Sequence, residues 1–177
     1  NGDFGKGLSR SLDVEGMNYN VKDIDPYHNS HPTQPMVGSE TASTISTRGI
    51  YKTDKLRNWI SAYDLNFPSW AETAETWWKY YAAREYLAGG FAWTGFDYRG
   101  EPTPYGWPSI SSQFGIIDMC GYPKDNYFYY KAWWGTEPVL HLLPHWNWEE
   151  RLGEPISVWV HSNLDEVEVF LNGVSQG

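Results

Sequence analysis

One cysteine, Cys120, stands in the whole chain, so no internal disulfide can staple it, and no Cys/His cluster has zinc spacing. Basic residues are also scarce: 13 Lys and Arg face 22 Asp and Glu, a formal charge of −9. Phosphate backbones want a basic face, so this balance argues against a nucleic-acid partner. No apolar run approaches the ~20 residues that a membrane span needs. No charged-then-apolar opening reads as a signal peptide, so the residues carry no address of their own. No Ser-His-Asp order, phosphate loop or GxGxxG pattern occurs, and the five His (28, 31, 141, 145 and 161) are scattered. No metal and no cofactor is therefore expected.

What the chain has in excess is aromatic residues: 11 Trp, 13 Tyr and 7 Phe, 18% of 177 residues. With 41% hydrophobic residues it can build a core, which excludes wholesale disorder. Its length allows one ordinary domain, or one domain and a piece of another. Most of the rings serve a core, with the polar tips of Trp and Tyr satisfied by partners. Flat rings at a cleft also suit ligands with apolar faces and polar rims, of which sugars are the leading example.

Along the chain, the polar, Gly-rich residues 1–11 show no periodicity, and the stretch LDVEGMNYN, with Leu12, Val14, Met17 and Tyr19, reads as a buried strand. Residues 20–35, with three prolines, read as loop, and Met36-Val37-Gly38 as a very short strand ending at Ser39-Glu40. The spacing of Ala74, Trp77, Trp78, Tyr81 and Ala82 predicts a helix over 70–88, with Ser69 and Glu72 forming a capping box and Gly89-Gly90 ending it. FAWTGFDY, residues 91–98, has strand length; a helix followed at once by a buried strand favours a parallel sheet. Residues 99–126 read as a long loop, of the kind usually kept for function, and YFYYKAWW opens a helix. After Gly135 the pattern switches to alternation, in ISVWVHS and EVEVFLNG, which marks antiparallel strands; Asn172-Gly173 signals a hairpin. The expectation is an α/β region over 1–135 and a β-sandwich over 136–177 that packs separately and is cut short, the chain being an internal piece of a longer protein.

Glu40, at the C-terminal end of a short strand, occupies the place where parallel α/β folds present catalytic groups. Its carboxylate can be a nucleophile, a base or a metal ligand, or else an ordinary N-cap or loop acid. Tyr19 ends the strand before it, and a Tyr hydroxyl donating to a carboxylate favours the charged form. Trp93 and Asp97 lie in the strand after it; Trp93 can stack on a sugar or fill a core, and Asp97 can serve the site or a structural ion pair. His28, in the preceding loop, is a candidate substrate contact, although solvated loop histidines are commoner.

Three strings resemble glycoside hydrolase family 2, especially its bacterial β-galactosidases: PMVGSETAST, GGFAWTGFDYRGEPTPYGWPSISSQFGIIDMCGYPKDNYFYYKAWW and PVLHLLPHWNWEERLGEPISVWVHSNLDEVEVFLNG. The resemblance implies the C-terminal part of a (β/α)8 TIM barrel followed by the first strands of an immunoglobulin-like β-sandwich. It puts the nucleophile on Glu40, a supporting hydroxyl on Tyr19 and a sugar-lining ring on Trp93, with Asp97 a weaker transfer. The family's acid/base Glu lies in an Asn-Glu pair, and no such pair occurs here. The resemblance thus implies a segment of a retaining exo-glycosidase that carries the nucleophile without its acid/base and is inactive in isolation. Its partners are a β-galactoside oligosaccharide or glycan and the remainder of the parent enzyme. Relatives are often exported, which implies a periplasmic or extracellular site rather than a cytoplasmic one.

Within the family, β-glucuronidase and β-mannosidase compete with β-galactosidase. Glucuronidases carry an Asn-x-Lys pair in the loop after the eighth strand; here that loop reads SSQFGIID, without Lys. From other classes, a non-catalytic carbohydrate-binding module fits the aromatic count, and a structural interaction domain predicts no sugar affinity. The βα pattern and the setting of Glu40 favour the enzyme.

Overall fold

A computed structural model describes residues 7–177; most of the expected featureless segment 1–11 lies outside them, and residues 7–11 form a 3-10 turn. The core element is a parallel sheet of three strands in the order β1 (Glu15–Asn18), β2 (Met36–Ala42) and β3 (Leu87–Trp93). Helix α1 (Val21–Ser30) connects β1 to β2, and α2 (Ala74–Ala82) precedes β3. A third helix, α3 (Asp125–Trp134), follows the long loop.

Residues 20–35 are therefore not all loop. Pro26 lies inside α1, where it deprives the helix of one backbone hydrogen bond. Burial of Ile24 and Tyr27 on one face of α1 outweighs that cost. The first strand is also shorter than expected: Met17 is fully buried, but Leu12 and Val14 are exposed.

The second helix starts later and ends earlier than 70–88. Its N-terminus is capped by Thr73, whose Oγ1 accepts from the Thr76 N–H at 3.0 Å, and by the Asp64 carboxylate, which accepts from Ala74 and Glu75 at 2.9 Å each. A distant carboxylate thus overrides the local Ser69–Glu72 pattern. The expected face is right in part: Ala74, Trp77 and Tyr81 are buried, while Ala82 is exposed.

Gly89 and Gly90 do not end this helix but lie inside β3, which spans 87–93 rather than 91–98. Their use is packing. Gly38 pairs with Gly90 across the sheet. A Cβ on Gly38 would stand 2.5 Å from Thr41 Cγ2 and 2.7 Å from the Tyr81 hydroxyl. Two bare positions let α2 lay Trp77 and Tyr81 directly on the strands. Trp77 donates its indole N–H to Tyr130 on α3 at 2.9 Å, so a fully buried ring keeps its polar tip satisfied. Full burial of a large apolar side chain is worth about 1.5–3 kcal/mol, and this cluster joins Met17, Ile24, Tyr27, Met36 and Leu87 to those rings. A smaller cluster of Ile45, Ile60 and Phe114 sits under the loops beyond the C-terminal strand ends, with Trp93 and Tyr105 against it.

The remaining elements are antiparallel: β4 (Leu140–Leu143) with β5 (Trp159–Ser162), and β6 (Phe170–Leu171) with β7 (Val174–Ser175). Asn172 and Gly173, both at positive φ, make the expected two-residue turn between β6 and β7. The ladder of β4 and β5 does not pack separately from the parallel region. Phe128 of α3 stacks on His141 at 3.8 Å, His141 meets Asp125 at 2.7 Å, and Tyr63 donates to the Ser157 carbonyl at 2.5 Å. No helix among the described residues is long and apolar enough to cross a membrane.

Candidate active site

Parallel pairing sets the site. Asn18 stands opposite Glu40, and Ala42 opposite Trp93, so the C-terminal ends of all three strands open on one side. Both leading strands turn there through residues in the left-handed region: Tyr19 and Asn20 after β1, Ala42 and Ser43 within and after β2. Non-glycine residues held in this region cluster at functional sites, because surrounding contacts must enforce them. Here the contacts are visible. The Tyr19 N–H donates to the Glu40 carbonyl at 2.9 Å, and the Ser43 N–H to the Trp93 carbonyl at 3.1 Å.

These turns bring Tyr19 onto Glu40. Its hydroxyl donates to Glu40 Oε2 at 3.1 Å and lies 2.7 Å from Ser43 Oγ. Burial, together with the negative charges of Glu40 and Glu101, drives the Tyr19 pKa far above its usual value, and the bond with Ser43 only partly opposes this. The phenol therefore stays protonated at any working pH and acts as a fixed donor beside the carboxylate. Glu40 itself is half-buried, in reach of a ligand.

On the neighbouring strand, Trp93 is half-buried and donates its indole N–H to the Tyr98 hydroxyl at 3.2 Å. Tyr98 in turn donates to Glu101 Oε2. Burial and the bond to Glu101 push the Tyr98 hydroxyl up to about 12, so it too is a standing donor.

Of the five residues singled out from sequence, the structure gathers Tyr19, Glu40 and Trp93. Asp97 is engaged with other partners: its carboxylate meets Lys124 Nζ at 2.8 Å and accepts from the Gly115 N–H at 2.8 Å. Lys124 is only 1% exposed and also donates to the carbonyls of Ser46 at 2.7 Å and Gln113 at 3.2 Å. Burial pushes Asp97 up and Lys124 down, and their mutual attraction offsets only part of either shift. This pair ties the connection after β2 to the one after β3, which is the structural role the sequence left open for Asp97. His28 lies on helix α1 and not in a loop, with its ring stacked on Tyr86 at 3.7 Å. Tyr86 precedes the first residue of β3, so His28 sits at the opposite end of the sheet from Glu40.

Sequence reasoning missed Ser43, Tyr98, Glu101 and Lys124. Tyr98 and Glu101 lie in FDYRGEP just past Trp93, and Ser43 lies three residues past Glu40, so proximity in the chain to the named candidates was the available signal. Among the described residues, no group of three or more His, Cys, Asp or Glu side chains converges as for a metal ion.

The chain has counterparts among known proteins. Beta-galactosidase BoGH2A of Bacteroides ovatus is 42% identical over 98% of this chain, which spans 22% of that protein. A β-glycosidase of Bacteroides vulgatus superposes with a TM-score of 0.81 at 31% identity, over 94% of this chain and 26% of that one. A β-glucuronidase of Bacteroides uniformis superposes with a TM-score of 0.66 at 25% identity, over 97% of this chain and 22% of its own. Residues 153–177 match a family described only as a domain of unknown function, DUF4982. The chain belongs to glycoside hydrolase family 2 and spans about a quarter or less of the relatives it matches.

Proposed function

We propose that this chain forms part of a retaining exo-glycosidase acting on terminal β-galactosides, with Glu40 as nucleophile. The observation that carries the reading is Glu40 Oε2 accepting from the Tyr19 hydroxyl at 3.1 Å, at the mouth of a parallel sheet. In this reading β1, β2 and β3 are the last three strands of a (β/α)8 barrel, and residues 136–177 open an immunoglobulin-like sandwich.

Retaining hydrolysis uses two carboxyl groups about 5 Å apart across the glycosidic bond. One protonates the leaving oxygen while the Glu40 carboxylate attacks the anomeric carbon, breaking the glycosidic bond and forming a glycosyl ester. Water, deprotonated by the first group, then attacks the same carbon and releases Glu40, with the configuration kept. Tyr19 aims the Glu40 carboxylate, and Trp93 offers a ring for the sugar. The acid/base group belongs to another part of the enzyme, since these residues hold no Asn-Glu pair. The isolated chain is accordingly expected to be inactive, general acid–base help alone being worth roughly 10²–10⁴-fold.

A second reading, a glucuronide substrate, is favoured by the β-glucuronidase neighbour. Against it, residues 111–118 contain no Lys, and the next one, Lys124, is buried on Asp97. The whole enzyme treated with a 2-deoxy-2-fluoro-β-galactoside, then digested, should carry the added mass on the peptide containing Glu40. Mass on a peptide without Glu40 would remove the nucleophile assignment.

A further inference from the structure

Glu40 is not alone at this end of the sheet. Two polar chains run side by side there. Ser43–Tyr19–Glu40 is one; Trp93–Tyr98–Glu101 is the other. They are joined because Trp93 pairs with Ala42 across the sheet and its carbonyl accepts from the Ser43 N–H at 3.1 Å. Each carboxylate acts on the other's tyrosine: the charge of Glu101 raises the Tyr19 pKa, and that of Glu40 raises the Tyr98 pKa.

Glu101 is also held in place. The loop that carries it is pinned at its base, where the Gly100 N–H donates to the Ile110 carbonyl at 2.8 Å and the Ser112 N–H to the Tyr98 carbonyl at 2.7 Å. Glu101 sits beside that base, tethered by Tyr98, whereas Trp107 further along the loop is 87% exposed. Lys124 faces inward onto Asp97 and Arg48 pairs with Asp118, and among the described residues no ion pair joins Glu40 or Glu101 to a cation, Arg99 included.

We propose that Glu101 determines which sugar enters: its carboxylate accepts hydrogen bonds from the hydroxyls of a neutral sugar and repels the carboxylate of a uronic acid. The inference rests on the glycosidase reading above and deepens it. Galactosides and glucuronides differ in whether the sugar carries a negative charge, and relatives named for each exist. A site whose two anchored carboxylates share one side, without an ion-paired cation on either among the described residues, places a uronate against like charge. Like-charge juxtaposition is a standard way to exclude a wrong partner. A carboxylate that accepts from a hydroxyl also penalises a ligand that cannot donate to it.

The test uses the whole enzyme with 4-nitrophenyl β-D-galactoside and β-D-glucuronide, which share a leaving group. The wild type should favour the galactoside by about 100-fold or more in kcat/KM. Glu101→Gln should lower galactoside kcat/KM by about 10- to 100-fold and raise that of the glucuronide, collapsing the ratio. Glu101→Asp keeps the charge and should keep the galactoside preferred. Tyr98→Phe loosens the tether but leaves the charge, so galactoside KM should rise while the glucuronide stays excluded. A Glu101→Gln enzyme whose two kcat/KM values move in parallel overturns the proposal. If that variant does not fold, inhibition of the wild type decides: D-glucaro-1,4-lactone binding as tightly as D-galactono-1,4-lactone also overturns it. Turnover of neither glycoside by the wild type defeats the glycosidase reading and this inference with it. Labelling of Glu40 with an unchanged ratio in Glu101→Gln defeats the inference alone.

Discussion

The two halves of this molecule handle apolar surface in opposite ways. In the parallel region, three short strands and three helices close over Met17, Met36, Trp77 and Tyr130, and the polar tip of Trp77 finds a partner inside. In the antiparallel region, Phe170 is 57% and Val174 63% exposed, and both residues lie in a hairpin of two-residue strands. A two-stranded hairpin is marginal on its own. The difference shows where positional precision is available: a carboxylate can be held to within a hydrogen bond only where the backbone beneath it is packed on both sides. Glu40, Tyr19 and Trp93 all stand on the packed region, and substitutions there should far outweigh those in the other.

The largest effect should follow Glu40→Gln in the whole enzyme, which keeps the shape and removes the proposed nucleophile. Removal of a covalent nucleophile typically costs about 10⁴-fold or more in kcat, with the fold nearly unchanged by circular dichroism. Phe170→Ser, on the open hairpin, should leave kcat within about twofold, since surface changes stay within ~0.5 kcal/mol. A comparable loss in both variants would erase the distinction between the regions.

Next comes the buried pair Asp97–Lys124. Lys124→Met leaves the Asp97 carboxylate buried without its cation, and breaking such a pair by one partner costs about 3–5 kcal/mol. Lys124→Met combined with Asp97→Asn should recover most of that loss, because no charge is then stranded. The denaturation midpoints of the two variants check this; equal midpoints would mean that the pair contributes nothing specific.

Tyr19→Phe should be milder than either. It removes one hydrogen bond to a charged group, worth about 1.5–3 kcal/mol, so kcat should fall by roughly 10- to 100-fold. The 2-fluoro-sugar label should still form on Glu40, more slowly. A variant as fast as the wild type would show that Ser43 and the strand geometry suffice to aim the carboxylate.

The legibility of these features in the sequence follows the range of the interactions. Apolar spacing in α2 and the Asn172-Gly173 turn are short-range, and both are visible in the chain. The Glu40–Tyr19 contact spans 21 residues, yet it was legible because parallel strand ends converge whatever lies between them. The cap on α2 was not, since Asp64 reaches it from a separate loop. Nor was α1, where Pro26 argues locally against a helix that burial of Ile24 and Tyr27 enforces. His28 was misplaced with it: once the segment is helical, its C-terminal end lies at the far pole of the sheet. For Glu101 the sequence offers only nearness to Trp93; the bonds that set it beside the site run through Tyr98, which accepts from Trp93 and donates to Glu101.

The smallest effect concerns the seam between the two regions. His161 on β5 is set edge-on to Tyr129 of α3 and lies near His141, within the influence of the Asp125 and Glu75 charges. Burial, and then the charge of His141, lower its pKa below the usual value, while Asp125 and Glu75 pull it back up. The unfolded chain therefore takes up a proton on this ring more readily than the folded one. The seam keeps its full stability above the ordinary histidine pKa of about 6.5 and loses some as pH falls from there toward the lower folded value. The ring is partly exposed, so the loss should stay well under the ~1.4 kcal/mol that corresponds to a tenfold change in proton affinity. Amide hydrogen exchange in β4 and β5 should thus be faster at pH 5.5 than at pH 7, after correction for intrinsic rates. His161→Phe keeps the ring contact with Tyr129 and removes the titration, and it should flatten this difference while protection in β1–β3 stays the same at both pH values. Persistence of the full pH response in His161→Phe would show that it does not come from this ring, and a response equal in β1–β3 would mean that the two regions open as one.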